Sequence, residues 1–192
     1  LWMEKRHVIR KILTSVVFAC FVGCCFYTVT AVHAWFGQVW NPAQYQGLDA
    51  TAYLETTFPE DAAAIRWLNE HVTGDPVVLE ANGDSYSDYE RVSAMTGLPT
   101  VLGWYVHEWL WRGNTGALNE RAQEVEAIYT STNQEEVKKL LEKYQVRYIF
   151  VGAREREKYA ALNESMLQSL GNIVFSDEQS QTYVLQVAFS GQ

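Results

Sequence analysis

Cysteine is missing from most of this chain of 192 residues. The three cysteines, Cys20, Cys24 and Cys25, fall inside one apolar run, and no cysteine follows them. This absence excludes a structural disulfide, thiol catalysis and cysteine-ligated zinc from everything after the run. Cys20 and Cys24 share one face of a helix, which favours helix packing, with acylation as the alternative.

Positive charge is also scarce after that run. The chain has 15 Lys and Arg against 23 Asp and Glu, yet four of the basic residues and only one acidic residue precede the apolar run. The remainder is therefore strongly acidic, which argues against nucleic acid as a partner and against simple adhesion to anionic lipid head groups. Divalent cations and neutral ligands remain compatible with this charge.

Several catalytic signatures are absent as well. There is no serine nucleophile elbow, no P-loop and no dinucleotide-binding fingerprint. His107-Glu108 has the start of a zinc-protease helix motif, but Trp111 stands where that motif requires a second histidine. The sequence therefore offers no nucleophile signature and no zinc-protease motif for an independent hydrolase.

The apolar run itself covers residues 12–36 and contains no charged residue. It is preceded by basic residues at positions 5, 6, 10 and 11. A bilayer core of about 30 Å requires roughly 20 apolar helical residues, so the run predicts a transmembrane helix. Because basic flanks favour the cytoplasmic side, residues 1–11 are predicted to be cytoplasmic and everything after the helix extracytoplasmic, in the cell membrane.

A cleaved signal peptide is the alternative for this segment. Signal peptides have apolar cores of about 7–15 residues, and Val32-His33-Ala34 is a poor cleavage site, so a retained helix is favoured. The chain begins with Leu1-Trp2 rather than Met, which suggests a piece of a longer protein. In that case the helix would be the last of several.

The rest of the chain divides into a linker and one domain. Residues 37–58 are predicted to be a juxtamembrane linker, with Trp40, Tyr45 and Tyr53 near the membrane interface, and residues 59–192 an extracytoplasmic domain. Helical patterns begin at Pro59, cover 118–129 and follow a cap at Asn133. Short strands are predicted at 77–79, 100–102, 146–151, 173–176 and 183–187, whereas 91–95 is ambiguous. This alternation predicts an α/β domain with a mixed sheet.

Residues 97–113 carry an unusual concentration of large aromatic and charged side chains. They are Trp104, Trp109 and Trp111, interleaved with His107, Glu108 and Arg112. Aromatic faces stack on sugar rings or cations while polar groups orient a ligand, so this segment could line a ligand pocket. The alternative is an amphipathic element packed against the sheet or the membrane interface, and the residues alone leave both interpretations open.

Two further charged segments are less specific. Glu80, Asp84 and Asp88 follow a predicted strand, where α/β sheets often place binding groups, and could hold a divalent cation. Their spacing is not that of an EF-hand, and a solvated turn is the simpler prediction, so no metal site is assigned. Residues 154–158 alternate in sign, which predicts a solvated helix face.

Five segments together resemble a known family. They are residues 48–54, 59–68, 77–81, 96–113 and 144–152. The most specific is Thr-Gly-Leu-Pro-Thr-Val-Leu-Gly-Trp at 96–104, followed by His107-Glu108 and Trp111-Arg112-Gly113. In these segments the chain resembles the C-terminal end of the YYY-domain multi-pass membrane proteins of bacteria and archaea, over nearly all residues from the helix onward.

The resemblance implies a last membrane helix plus an extracytoplasmic domain, with many more helices upstream. The family's architecture is similar to that of the GT-C glycosyltransferases, which use polyprenyl-phosphate sugars and carry a catalytic acidic residue in an early extracytoplasmic loop. That loop would lie outside this chain, so no catalytic residue is assigned here. The function implied is a glycosyltransferase domain that positions the acceptor or the donor head group, and the alternative is a non-catalytic, membrane-anchored interaction or structural domain.

The resemblance also implies site residues and partners. The implied acceptor or lipid-phosphate contacts are Glu80, Trp104, His107, Glu108, Trp111 and Arg112, to which we add the loop carboxylate Asp84 as a substrate-binding candidate. No cofactor is expected in this chain, whereas a divalent cation is compatible with the full-length protein. The expected partners are the remaining transmembrane helices, the lipid bilayer and a polyprenyl-phosphate sugar, with nucleic acid excluded.

Overall fold

The computed structural model describes residues 2–37, 41, 43 and 51–188, and the side chains from residue 6 onward. The chain divides into two compact units, Leu1–Ala50 and Thr51–Gln192. Trp40 and Tyr45 of the predicted linker, and residues 48–50 of the family resemblance, lie outside the described residues.

The first unit contains one long helix, α1 (Trp2–Phe36). Its segment Arg6–Phe36 is long and apolar enough to cross a membrane, with a mean hydropathy of 2.2. The hydroxyls of Thr14 and Thr28 donate to backbone carbonyls one turn earlier, which satisfies polar groups on an apolar helix. The apolar segment is therefore a candidate membrane span, and the helix continues through the basic flank that precedes it.

The second unit is built on a four-stranded mixed sheet. Its strands are β1 (Val77–Leu79), β2 (Val146–Val151), β3 (Gly171–Asp177) and β4 (Thr182–Val187), in the order β1-β2-β4-β3. β1 and β2 are parallel, whereas β2 and β3 both pair with β4 antiparallel. The predicted α/β class with a mixed sheet and a closing hairpin is confirmed.

The prediction of a strand at 100–102 is wrong. Only Thr100 forms a bridge, to Val78, and residues beyond it pair with no strand among the described residues. Val101 and Leu102 are nevertheless buried, at 3% and 2% exposure. A short apolar run in the sequence indicates that the segment is buried. Burial alone does not distinguish a strand from a packed loop.

Eight helices follow α1 among the described residues. They are α2 (Leu54–Thr57), α3 (Pro59–His71), α4 (Arg91–Thr96), α5 (Tyr105–Arg112), α6 (Gly116–Thr130), α7 (Gln134–Lys143), α8 (Ala153–Lys158) and α9 (Glu164–Gln168). The ambiguous segment at 91–95 is thus helical. The cap predicted at Asn133 is confirmed, because its side chain accepts a hydrogen bond from the backbone N–H of Glu136 at 3.3 Å.

Both faces of the sheet are covered. Successive residues of a strand point to opposite faces, and on β2 Ile149 belongs to one buried cluster and Phe150 to the other. The cluster around Phe150 includes Leu54 and Phe58, so the compact unit starts at Thr51, before the expected boundary at residue 59. This packing brings α2, α3 and α4 to the same side of the domain.

Candidate functional site

An open cleft with a volume of about 750 Å³ lies along α4 and α5. Its apolar and aromatic lining consists of Tyr53, Phe58, Tyr89, Ala94, Met95, Leu98, Trp104 and Trp111, with Gly103 beside them. Its polar lining consists of Ser87, Asp88, Glu90, Arg91, Ser93, Thr100, His107, Glu108 and Arg112. The volume, and a lining that combines apolar and aromatic side chains with polar groups, are those of a small-molecule site.

The cleft gathers five of the predicted substrate-binding residues: Trp104, His107, Glu108, Trp111 and Arg112. Four of them belong to α5, where His107 and Trp111, and likewise Glu108 and Arg112, are four residues apart and hence neighbours on one helix face. Glu80 and Asp84 do not belong to the lining.

Three rings pack together at Trp104. The centroid of Tyr86 lies 5.5 Å from that of Trp104 and 5.2 Å from that of His107, and Trp104 and His107 are 5.2 Å apart. The indole N–H of Trp104 donates to the carbonyl of Tyr89 at 3.0 Å, which fixes the orientation of its ring. An oriented aromatic face of this kind can stack against a ring of a bound ligand.

The charges on α5 form an ion pair. The Nε of Arg112 donates to a carboxylate oxygen of Glu108, and this hydrogen bond raises the pKa of Arg112. Gly103 leaves space for that carboxylate, because a Cβ there would lie only 3.2 Å from Oε1 of Glu108. Arg112 is about half exposed, but its charge is already matched, so an anionic ligand would have to compete with Glu108.

Glu80 lies beneath the cleft wall and is 1% exposed. Its two carboxylate oxygens accept the backbone N–H groups of Val92 and Ser93, each at 2.8 Å, in the first turn of α4. Burial raises the pKa of Glu80 to about 7, although these hydrogen bonds act in the opposite direction. In this position Glu80 anchors α4.

The loop carboxylates have separate partners. Asp84 accepts the backbone N–H of Ser85 at 2.8 Å, whereas Asp88 pairs with Arg154 at 3.0 Å. Both side chains are exposed, as expected for a solvated turn. Among the described residues, no three His, Cys, Asp or Glu side chains are placed to hold a metal ion.

A buried ion network behind the cleft was not predicted. Arg91 is 3% exposed and pairs with Asp61 and Glu155, both 0% exposed. Glu155 also accepts the backbone N–H groups of Ala81 at 3.0 Å and Gly152 at 2.9 Å. Although burial disfavours the charge of Arg91, the two carboxylates hold its pKa above the usual value.

This network overturns the prediction that residues 154–158 form a solvated face. Glu155 is buried against Arg91, and the ammonium group of Lys158 donates to the backbone carbonyl of Asn82. Alternating charge indicates a helix surface, but the partners of Glu155 and Lys158 come from segments far away in the sequence, so the local pattern could not reveal them.

Glu90 lines the cleft and was likewise not indicated by the sequence. It is 6% exposed, and its Oε1 accepts the backbone N–H of Gly83 at 2.6 Å. Its Oε2 has no hydrogen-bond partner among the described residues. The hydroxyl of Thr100 is likewise buried and has no partner within the described ranges. Burial raises the pKa of Glu90 to about 8. No motif marks either residue, because only the fold gives them this environment.

Comparisons with known proteins found likenesses among solved structures. No family model matches the chain, and no curated protein matches it either. Among solved structures, the C-terminal globular domain of an oligosaccharyltransferase from Archaeoglobus fulgidus is similar, with 13% sequence identity and a TM-score of 0.42, covering 67% of this chain and 97% of that chain. A likeness with this TM-score and this sequence identity carries no argument about function. Membership of the YYY-domain family stays a prediction.

Proposed function

We propose that this chain is the membrane-anchored C-terminal part of a GT-C-like glycosyltransferase. In this proposal the domain holds the acceptor, or the head group of a polyprenyl-phosphate sugar, beside an active site that the remaining transmembrane helices supply. The catalytic acidic residue, and a divalent cation if the reaction uses one, belong to that remaining part.

The observation that carries the proposal is the convergence of Trp104, His107, Glu108, Trp111 and Arg112 on one open cleft. A folded domain that used these aromatic residues only for packing would bury them, yet α5 has no buried residue. Large aromatic side chains kept at an open cleft beside polar groups suit a ligand with a ring and hydroxyl groups.

The candidate membrane span supports the same proposal. A lipid-linked sugar stays in the bilayer, so a domain that handles its head group must be kept at the membrane surface. The basic flank of α1 favours the cytoplasmic side, which would make the domain extracytoplasmic.

The test is transfer from a radiolabelled polyprenyl-phosphate sugar in membranes that contain the full-length protein. Trp104→Ala, His107→Ala and Arg112→Ala should each lower the transfer rate at least about tenfold at equal expression, because each removes a contact in the cleft. Arg66→Ala is the matched control, since Arg66 pairs with Glu55 and is 52% exposed, as is Arg112. Unchanged transfer in all three cleft variants would remove the basis of the proposal.

A second candidate function is a non-catalytic interaction domain. It is favoured by the exposed side chains of Trp109, Leu110 and Trp111, which are 44%, 67% and 89% exposed. Leu110 does not line the cleft, so Leu110→Ser separates the two functions. If the domain is an interaction domain, this variant should weaken cross-linking from α5 to the other helices of the full-length protein. If the domain serves the transferase, the variant should leave the rate of sugar transfer unchanged.

A further inference from the structure

Within the part of the chain that the structure describes, two buried polar atoms of cleft-lining residues lack hydrogen-bond partners: Oε2 of Glu90 and the hydroxyl oxygen of Thr100. Buried polar groups in folded proteins nearly always have a partner, so an exception requires an explanation. Both residues line the same cleft, and a ligand there can supply the missing hydrogen bonds.

Glu90 is held in a fixed position. The backbone N–H of Gly83 binds its Oε1, and its own backbone is left-handed, at φ 60°, which is uncommon for a residue with a side chain. Gly83 cannot be replaced without movement, because a Cβ there would lie 2.3 Å from Cδ2 of Tyr89. Uncommon backbone geometry of this kind persists where the surrounding structure enforces it, often at a ligand site.

The charges of the cleft argue against an anionic ligand. Of the cations in the described lining, Arg91 is matched by Asp61 and Glu155, and Arg112 is matched by Glu108. A phosphate group would therefore meet no uncommitted guanidinium in this part of the chain, whereas paired hydrogen bonds from Arg are among the strong contacts that proteins make with phosphate.

The environment of Glu90 also favours its neutral form. Burial and the nearby carboxylate of Glu80 raise its pKa, whereas the N–H of Gly83 and the charges of Lys158 and Arg91 lower it. The net result is a pKa of about 8. A neutral carboxyl group can donate a hydrogen bond through one oxygen while the other keeps the N–H of Gly83.

We propose that Glu90 and Thr100 hydrogen-bond the hydroxyl groups of a neutral sugar ring in this cleft, with Trp104 against the ring, and that the cleft does not hold a phosphate. This inference rests on the proposed function and specifies which part of a lipid-linked donor or acceptor the cleft would recognise. It assigns Glu90 and Thr100 as ligand-binding residues.

Saturation-transfer NMR on the full chain in nanodiscs can test the ligand class. The probes are glucose, mannose, galactose and N-acetylglucosamine, with glucose 1-phosphate as the anionic counterpart of glucose. At least one neutral sugar should bind at pH 7, and glucose 1-phosphate should bind no more tightly than glucose. Absence of binding by all four sugars, or tighter binding of the phosphate, overturns the ligand class.

Variants test the two residues. Glu90→Ala and Thr100→Val should each weaken binding of the best sugar at least about fivefold, whereas Tyr183→Phe, which removes a hydroxyl outside the cleft lining, should not. Glu90→Gln keeps an acceptor for Gly83 and a donor for the ligand, so it should bind at pH 7 as the wild type does. Wild-type binding should weaken above about pH 8, and that of Glu90→Gln should not.

Identical pH profiles for the wild type and Glu90→Gln overturn the assignment of Glu90, and this comparison remains available if Glu90→Ala does not fold. The outcome is separable from that of the proposed function. Sugar binding without transfer by the full-length protein would leave this inference standing and remove the transferase, whereas transfer without sugar binding would do the reverse.

Discussion

Buried charges are the main feature of this domain at the scale of single residues. Arg91 lies between Asp61 and Glu155, and Glu155 extends the network to the backbone at Ala81 and Gly152. The network joins α3, α4 and α8 to the end of β1 directly behind the cleft. A buried pair adds little net stability compared with apolar residues, but loss of one partner leaves an uncompensated charge.

Arg91→Met should therefore lower the free energy of unfolding by about 3–5 kcal/mol, since two carboxylates lose their counter-charge. Denaturant unfolding of the full chain in detergent, followed by circular dichroism, measures this change. Arg66→Met, at an exposed pair, should cost less than about 1 kcal/mol. Equal losses in the two variants would contradict a structural role for the network.

Stability should also depend on pH through Glu80 and Glu90. Their folded-state pKa values, about 7 and about 8, exceed the usual 4.5, and burial raises the pKa of Asp61 in the same direction. The folded state then binds more protons than the unfolded state from about pH 4.5 to pH 8, so the free energy of unfolding falls as pH rises through this window.

The decrease is at most about 1.4 kcal/mol per pH unit for each group. Unfolding curves recorded at intervals from pH 5 to pH 8 measure it. Glu80→Gln and Glu90→Gln should each reduce the slope, and combining them should reduce it further. A slope that is the same in the double variant as in the wild type would show that these carboxyl groups are ionised in the folded state.

At the scale of elements, α5 and α7 illustrate two uses of a helix. α7 buries Val137 and Leu141 along one stripe and is held by its cap. α5 buries none of its residues and is followed by Gly113 in a left-handed conformation, with φ 66°. Packing fixes α7 in place. α5 instead presents its side chains along an open cleft, which suits a wall of a binding site.

Asn133→Ala removes the side-chain acceptor at the start of α7, so it should lower the free energy of unfolding by about 1 kcal/mol. Asn133→Asp keeps an acceptor at the same position and is the matched control. Thermal unfolding by circular dichroism measures both. A loss in Asn133→Asp equal to that in Asn133→Ala would mean that the cap does not stabilise the helix.

At the scale of the whole molecule, the chain combines a candidate membrane span with a cysteine-free α/β unit. The two parts place their apolar residues differently. Lipid favours a helix that is apolar on all sides, whereas the domain buries its apolar residues in two layers against a sheet. The proposed function requires the helix to be retained and the domain to be extracytoplasmic.

Labelling with a membrane-impermeant maleimide tests this topology. With Cys20, Cys24 and Cys25 replaced by Ala, Gln179→Cys provides a single thiol at an exposed position of the β3–β4 turn. The thiol should react in intact cells, and the labelled chain should retain an N-terminal tag that is protected from external protease. Labelling only after permeabilisation would contradict the orientation, and loss of the tag would favour a signal peptide.

The sequence by itself determined the features that depend on neighbouring residues. The apolar run, the cap at Asn133, β2 and the closing hairpin were predicted because length, periodicity and capping chemistry are local signals. The sequence also predicted that Trp104, His107 and Arg112 lie near one another, since they stand close together in the chain, and all three line the cleft. Their role in binding stays a prediction.

Only the tertiary structure decided which charged side chains are buried and which residues they pair with. Arg91 and Glu155 are 64 residues apart, and Arg91 and Asp61 are 30 apart, so no local pattern could pair them. The same holds for Glu90, whose missing partner and raised pKa arise from the chain folded around it, and for residues 100–102, which are buried without joining the sheet. Burial and pairing depend on contacts between distant segments, which the fold alone creates.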